Sequence, residues 1–426
     1  MLSKETKNRY IKILKSELIP AMGCTEPIAL AYAGAVARKV LGEMPEKVIA
    51  RCSGNIIKNV RCVTIPNSNG LSGIEAGVLL GIVGGNPDKN MEVLQDVTEE
   101  DIATTSRMLK DNVCSVKYLE SQSVLHIVLE LYTEVHSAIV EIRDDHTNIT
   151  CVKKDGKKIF ESETEYEEED VEERKFLLNI EDIKEFADTV ELDAVYKIIE
   201  RQIEYNMAIA NEGMKGHYGL GLGKLLIESY PDTTVNQMKA YAAAGSEARM
   251  GGCDLPVIIN SGSGNQGISA SVPVIVYARI RQVDEETLYR TLVFSNLLTI
   301  YQKTFIGKLS AFCGAVSASC ASGAALTYMV GGTLDQIKMT VENTLANIPG
   351  IICDGAKISC AAKIATSLDA AIMAHNLAMK DKVYAPYTGI LQEDTPETIS
   401  CVGYIGKEGM KQTDKEILKI MIEYKE

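Results

Sequence analysis

From Leu309 to Leu334 the chain runs 26 residues without a charge, long enough to cross a bilayer. A run of that kind has to be enclosed, by lipid or by protein. Its centre, SAFCGAVSASCASGAAL, is made of Gly, Ala, Ser and Cys and carries too few large apolar side chains for a membrane span. The sequence therefore predicts a tightly packed helix surrounded by other helices. The residues after Asn179 supply them: NIEDIKEFADTV, LDAVYKIIERQIEYNMAIANEG, VNQMKAYAAAGSEARMGG, DEETLYRTLVFSNLLTIYQKTF and TLDQIKMTVENTLAN all place apolar residues three and four apart.

The N-terminal half has a different texture. Residues 4–18 read as an amphipathic helix and Glu26–Leu41 (EPIALAYAGAVARKVL) as a more buried one. Val48 to Ile65 is strand-like, followed by the turn cluster PNSNGLSG and the small-residue run IEAGVLLGIVGG. Beyond Asp111, CSVKYLE, SVLHIVLELYT, EVHSAIVEIRD, NITCVKKD and KKIFES alternate apolar and polar residues, the pattern of an antiparallel sheet with one wet face. ESETEYEEEDVEE (Glu161–Glu173) has nine acids in thirteen residues and reads as a solvated linker. The expected fold class is α+β: an N-terminal segment (1–110), a β-rich subdomain (111–162), an acidic linker (163–178) and a large helical domain (179–426).

Charge narrows the function classes. Lys and Arg number 44 against 58 Asp and Glu, a net −14 over 426 residues, which disfavours nucleic acid and anionic lipid as partners because both call for a basic face. MLSKETKNRYIKILKSELIP interleaves lysines with apolar residues and has no apolar core of a secretory signal, so the chain reads as cytosolic. Eleven cysteines, an odd number, do not describe a disulfide framework there. Homo-oligomerisation is left open.

Two glycine motifs fail as nucleotide sites. Gly262, Gly264 and Gly267 in NSGSGNQG match G-x-G-x-x-G, with Asp284 twenty residues after Gly264. Pro273 argues against a helix opening there, and no βα alternation surrounds it. The loop keeps another use, since its N–H groups and the amides of Asn265 and Gln266 can hold a small carboxylate. HYGLGLGK has Tyr218 and Leu225 where a phosphate loop needs Gly and Ser or Thr. His126, His136 and His146 fall in the alternating β-rich segment and are expected at its surface.

Cys313, Cys320, Cys353 and Cys360 lie within 48 residues in nearly uncharged surroundings. No C-x-x-C knuckle of the zinc type is present. Thiolates drawn from two segments suit an iron–sulfur cluster, and ordinary buried thiols fit the same spacing. Cys24 sits in the GCTEP turn, with Pro27 placed for a first helical turn. A helix start beside the sulfur is expected to lower its pKa.

In ordered combination, GCTEPIALAYA, SGNIIKNV…IPNSNGLSGIEAG, NEGMKGHYGLGLGK, INSGSGNQGISASVPV, SAFCGAVSASCASGAA and ICDGAKISCAAK resemble the L-cysteine desulfidase family, related to the iron–sulfur L-serine dehydratases. The resemblance implies cleavage of L-cysteine to hydrogen sulfide, pyruvate and ammonia on a [4Fe–4S] cluster without pyridoxal phosphate. It implies Cys24 as the base and Cys313, Cys353 and Cys360 as cluster ligands. Cys320 lies in the same segment as Cys313 and competes as first ligand; Cys313 is preferred because its separation from the later pair fits the family. Thr25, Asn265, Gln266 and, more remotely, Asn67 are candidates for the substrate carboxylate, and the other six cysteines are expected to be structural. Cys24 has to cross from the N-terminal segment, so the active site is expected between domains. L-Serine or L-threonine dehydration by the same apparatus, and a non-enzymatic iron–sulfur sensor, are the alternatives.

Overall fold

The computed structural model describes residues 2–162, 168–307 and 311–423. The fold is α+β. The described strands are β1 (Pro20–Met22), β2 (Lys47–Cys52), β3 (Cys114–Tyr118), β4 (His126–Tyr132), β5 (Ser137–Arg143), β6 (Ile149–Lys154), β7 (Lys157–Glu161) and β8 (Pro256–Ile258). Strands β2 to β7 form one sheet in the order β3-β2-β4-β5-β6-β7. Within the alternating segment β4 to β7 pair antiparallel as the pattern predicts, but its first stretch, β3, departs from that expectation and lies parallel to β2, which also pairs antiparallel with β4. Parallel neighbours need a long crossover, and the helices Ile74–Gly84 and Glu99–Lys110 lie in it. One face of the sheet is apolar: Ile127, Leu129 and Leu131 of β4 stand opposite Ile142, Val140 and Ala138 of β5, all fully buried.

Helix Thr25–Leu41 belongs to two cores. Ala29, Leu30, Ala33, Ala37 and Leu41 face the sheet, while Ile28, Ala31 and Ala35 face the helical body. Helix Ile74–Gly84 crosses it so closely that a Cβ on Gly81 would stand 2.1 Å from the Ala31 carbonyl oxygen; Gly81→Ala must push the helices apart, at about 1–3 kcal/mol for overpacking of this kind. The start of helix Thr25–Leu41, with Cys24, is therefore fixed where the two cores meet.

The uncharged run becomes helix Gly314–Met329, with Ala315 to Thr327 buried throughout. Helices Gly264–Arg281, Glu285–Ile306, Leu334–Asn347 and Cys360–Ala378 surround it, and Gly323 lets Ala371 approach. Leu309 and Ser310 lie outside the described residues. Among those described, no helix is long and apolar enough to cross a membrane.

Several expectations change. Pro273 does not prevent a helix: Gly264–Arg281 runs through it, losing one N–H donor in a segment enclosed on all sides. Glu168–Leu177, within the expected linker, is helical, and its end is tied by ion pairs of Glu173 with Arg9 and of Arg174 with Glu17; residues 163–167 lie outside the description. His126 and His146 are buried, not on the surface, because His126 meets Glu141 at 3.0 Å and His146 turns toward the helical body. His136 is exposed.

Candidate active site

Four helices begin at one place. Cys24 precedes helix Thr25–Leu41, Ser263 precedes Gly264–Arg281, Cys313 precedes Gly314–Met329, and Cys360 opens Cys360–Ala378. Each is 16 to 19 residues long, and none has a side-chain cap. Their positive dipole ends favour an anion at the point they share, although the first two N–H groups of helix Cys360–Ala378 are spent on the Lys357 and Ile358 carbonyls. That point is a pocket whose lining includes Cys24, Cys313, Cys353, Cys360, Arg249 and Lys303.

Local structure explains the convergence. The Cys313 N–H donates to the Ile351 carbonyl at 2.8 Å and the Cys353 N–H to the Ala311 carbonyl at 2.6 Å, so two short extended stretches place these thiols side by side. Gly355 adopts φ +95° with the Lys58 carbonyl 2.3 Å from where a Cβ would be. The Cys353 loop is thus pressed on helix Gly54–Val60, which a side chain at 355 would forbid. The same helix supplies Lys58, paired with Asp414, and Asn59, whose amide donates to Glu26 Oε1 at 2.9 Å.

Cys24, 3% exposed, donates its thiol proton to Glu26 Oε2 at 3.1 Å. The helix start is present as expected, yet the thiol pKa moves up, well above its ordinary value, through burial and then the Glu26 charge, with Arg249 opposing. The expectation of a lowered Cys24 pKa is therefore corrected: burial, and then a carboxylate in contact, outweigh a dipole end. Burial works against the charge of Glu26, but the facing His146 and hydrogen bonds from Cys24 and Thr25 prevail and hold its carboxyl below the usual range. Cys353 goes the other way. The Cys313 thiol donates to it, and against burial that bond, with Lys58, the Gly355 N–H and Lys363, lowers its pKa. Burial draws the Lys303 amine down to about 8, against the pull of Cys313 and Cys353.

Residues 88–419 match the serine dehydratase alpha chain family. The chain belongs to this family. It is a lyase family of the iron–sulfur dehydratase type. Among similar proteins are a UPF0597 protein of Lachnoclostridium phytofermentans, 48% identical over 97% of this chain and 99% of its own length, and a UPF0597 protein of Treponema denticola, 45% identical over 99% of both.

The thiols fit an iron–sulfur group. Among the described residues no three His, Cys, Asp or Glu side chains converge to hold a single metal ion, so the pocket is not a ready-made mononuclear site. A cluster takes each thiolate on a different iron and suits sulfurs placed around a space, as Cys313, Cys353 and Cys360 are. Cys320 lies two turns inside helix Gly314–Met329, fully buried and off the pocket, its pKa pushed up to about 12 by burial.

Of the carboxylate candidates, Thr25, Asn265 and Gln266 line the pocket and Asn67 does not. The Thr25 hydroxyl is engaged 3.0 Å from both Glu26 and the Gly262 carbonyl, and Asn265 Oδ1 accepts from Ser246. Asn67 lies off the pocket, its amide donating to the Leu94 and Gln95 carbonyls. The second glycine motif, and the acid that follows the first, serve the protein itself. Glu247 accepts the Leu220 and Leu222 N–H groups of HYGLGLGK, and Asp284 caps helix Glu285–Ile306. Sequence pattern did not single out Glu26, Asn59, His146, Arg249 or Lys303, all on the pocket. A signal existed for Glu26, since an acid directly before a buried helical face needs a partner.

Proposed function

We propose that the protein is a PLP-independent β-elimination lyase that holds a [4Fe–4S] cluster on Cys313, Cys353 and Cys360 and converts L-cysteine and water to hydrogen sulfide, pyruvate and ammonia. The observation that carries this reading is the meeting of Cys24 with those three cysteines on one pocket at four uncapped helix starts. The ordered motifs and their likeness to L-cysteine desulfidases favour cysteine.

When bound, the cluster would supply an iron without a protein ligand, a Lewis acid for the departing sulfur. Cys24 takes the α-proton. In the free protein the raised thiol and lowered carboxyl pKa keep the Cys24 proton on sulfur; on substrate binding Glu26, 3.1 Å away, is the group that accepts it, and Asn59 and Thr25 keep that carboxylate in place. Loss of the α-proton and of sulfide leaves aminoacrylate, which tautomerises and takes up water to give pyruvate and ammonia. The four enzyme-side thiols see no net change in oxidation state. Lys303, beside Cys313 and Cys353, offsets negative charge on that wall.

The family match favours a second reading, L-serine as substrate with water leaving. Anaerobically purified, iron- and sulfide-reconstituted protein is tested with both amino acids. Equal amounts of sulfide and pyruvate from L-cysteine, with a lower kcat/KM for L-serine, are expected. Pyruvate from L-serine alone selects the second reading, and product from neither overturns both.

A further inference from the structure

Arg249 ends helix Thr234–Met250 inside the protein, 2% exposed, and lines the pocket. Its Nε has no hydrogen-bond partner, and among the described residues no carboxylate pairs with its guanidinium. A buried cation in that condition is costly until an anion joins it. The guanidinium lies against the first turn of helix Gly264–Arg281: a Cβ on Gly264 would stand 2.2 Å from Nε. Ser263 leaves the N–H groups of that turn uncapped. Two independent donor sets therefore face one space. Opposite in polarity is Asn59, whose Nδ2 is spent on Glu26 while its Oδ1 is buried without a partner.

We propose that Arg249 and the start of helix Gly264–Arg281 hold the α-carboxylate of an amino-acid substrate, with Asn59 Oδ1 facing its ammonium group. This rests on the elimination reading and deepens it, since it defines the substrate class as α-amino acids with a free carboxylate. The anchor lies close to the chemistry, because the charge of Arg249 reaches both Cys24 and Cys360. Pairing the carboxylate with a cation also removes negative charge that opposes loss of the neighbouring α-proton.

The test compares two ligands that cannot complete the reaction: 3-mercaptopropionate, which keeps the carboxylate and lacks the amine, and cysteamine, which has the reverse. Binding to the cluster-loaded protein is measured anaerobically by calorimetry. Arg249→Gln is expected to weaken 3-mercaptopropionate by ~10²-fold, the scale of a lost buried charge pair, and cysteamine by less than about twofold. Arg249→Lys keeps the charge without the fork and recovers part of the loss. The thermal midpoint of ligand-free Arg249→Gln stays level or rises, because an unpaired buried charge has gone; a merely structural arginine would lower it. Equal weakening of both ligands, no weakening, or loss of iron together with a lower midpoint overturns the proposal. If amino acids are turned over and Arg249→Gln leaves KM unchanged, the anchor fails and the elimination reading stands. If 3-mercaptopropionate binds through Arg249 and neither cysteine nor serine reacts, the elimination reading fails and the anchor stands.

Discussion

Cys24 and Cys353 are thiols on the same pocket, both largely enclosed. Cys24 faces a carboxylate, donates to it and keeps its proton. Cys353 faces a thiol that donates to it, with Lys58 and Lys363 nearby, and sheds its proton more readily. Burial is common to the two, so it does not decide their roles. The neighbours do: in the proposed elimination, one wall would exchange protons and the other present a thiolate.

The comparison breaks most visibly on the thiolate wall. Alanine at Cys313, Cys353 or Cys360 is expected to abolish iron retention after anaerobic reconstitution and to reduce turnover to background. Cys320→Ala should keep most of its iron, and iron and acid-labile sulfide per chain check all four variants. If Cys320→Ala empties the protein while Cys313→Ala does not, the first ligand has been assigned to the wrong cysteine.

On the proton wall the expected loss is smaller and of another kind. Cys24→Ser should retain iron and lose turnover by ~10²-fold or more, the scale of a positioned general base, together with exchange of the substrate α-hydrogen into solvent. Glu26→Gln keeps the shape and removes the acceptor; a loss of about 10- to 100-fold is expected, again with iron in place. Near-normal α-hydrogen exchange in Cys24→Ser would remove the thiol from the proton step.

Lys58 links the thiolate wall to the C-terminal helix Lys411–Glu423 through Asp414. Lys58→Met leaves Asp414 unpaired in a partly exposed place, so a loss on the order of 2 kcal/mol is expected, below the range for fully buried pairs. Iron retention should weaken without vanishing. Denaturant titration and iron release to a chelator measure the two effects, and unchanged values for both would show that Lys58 supports neither.

How far the sequence disclosed this arrangement differs from element to element. Periodicity exposed the helices after Asn179 and the strands of the β-rich segment, because a helix stripe and strand alternation follow from which face is enclosed. The uncharged Gly314–Met329 helix was legible for the same reason. Pro273 was misleading, since a local helix penalty is overridden when packing surrounds the segment. The helical stretch at Glu168–Leu177 was masked by its acidity. At the site, the cysteines were legible from their grouping and from the family likeness, while Glu26, His146 and Arg249 were not. Their roles come from distance in space: His146 from the turn between β5 and β6, Arg249 from the end of a helix more than a hundred residues further on. The direction of the Cys24 pKa was misjudged because the dipole end was visible in the sequence, while the burial of the thiol and the turn of Glu26 back onto the sulfur were not.

The smallest effects expected lie in the pH dependence of stability, where the Cys24–Glu26 contact acts on both sides of neutrality. Glu26 has a lowered pKa in the folded protein. Its contribution is therefore present above the ordinary carboxyl range and is lost as pH falls through the folded value. Cys24 has a raised pKa, so its contribution is complete below the ordinary thiol value and declines as pH rises toward the folded one. In iron-free protein, Glu26→Gln should flatten the acid limb of the thermal midpoint against pH, and Cys24→Ser the alkaline limb. The alkaline change will be modest, because Cys52, Cys114 and Cys320 are also raised by burial and keep their own share of that slope. The double variant separates contact from coincidence. Two groups joined by one hydrogen bond give non-additive changes, whereas strictly additive midpoints across the pH range would mean that Cys24 and Glu26 titrate independently and that no proton is shared between them.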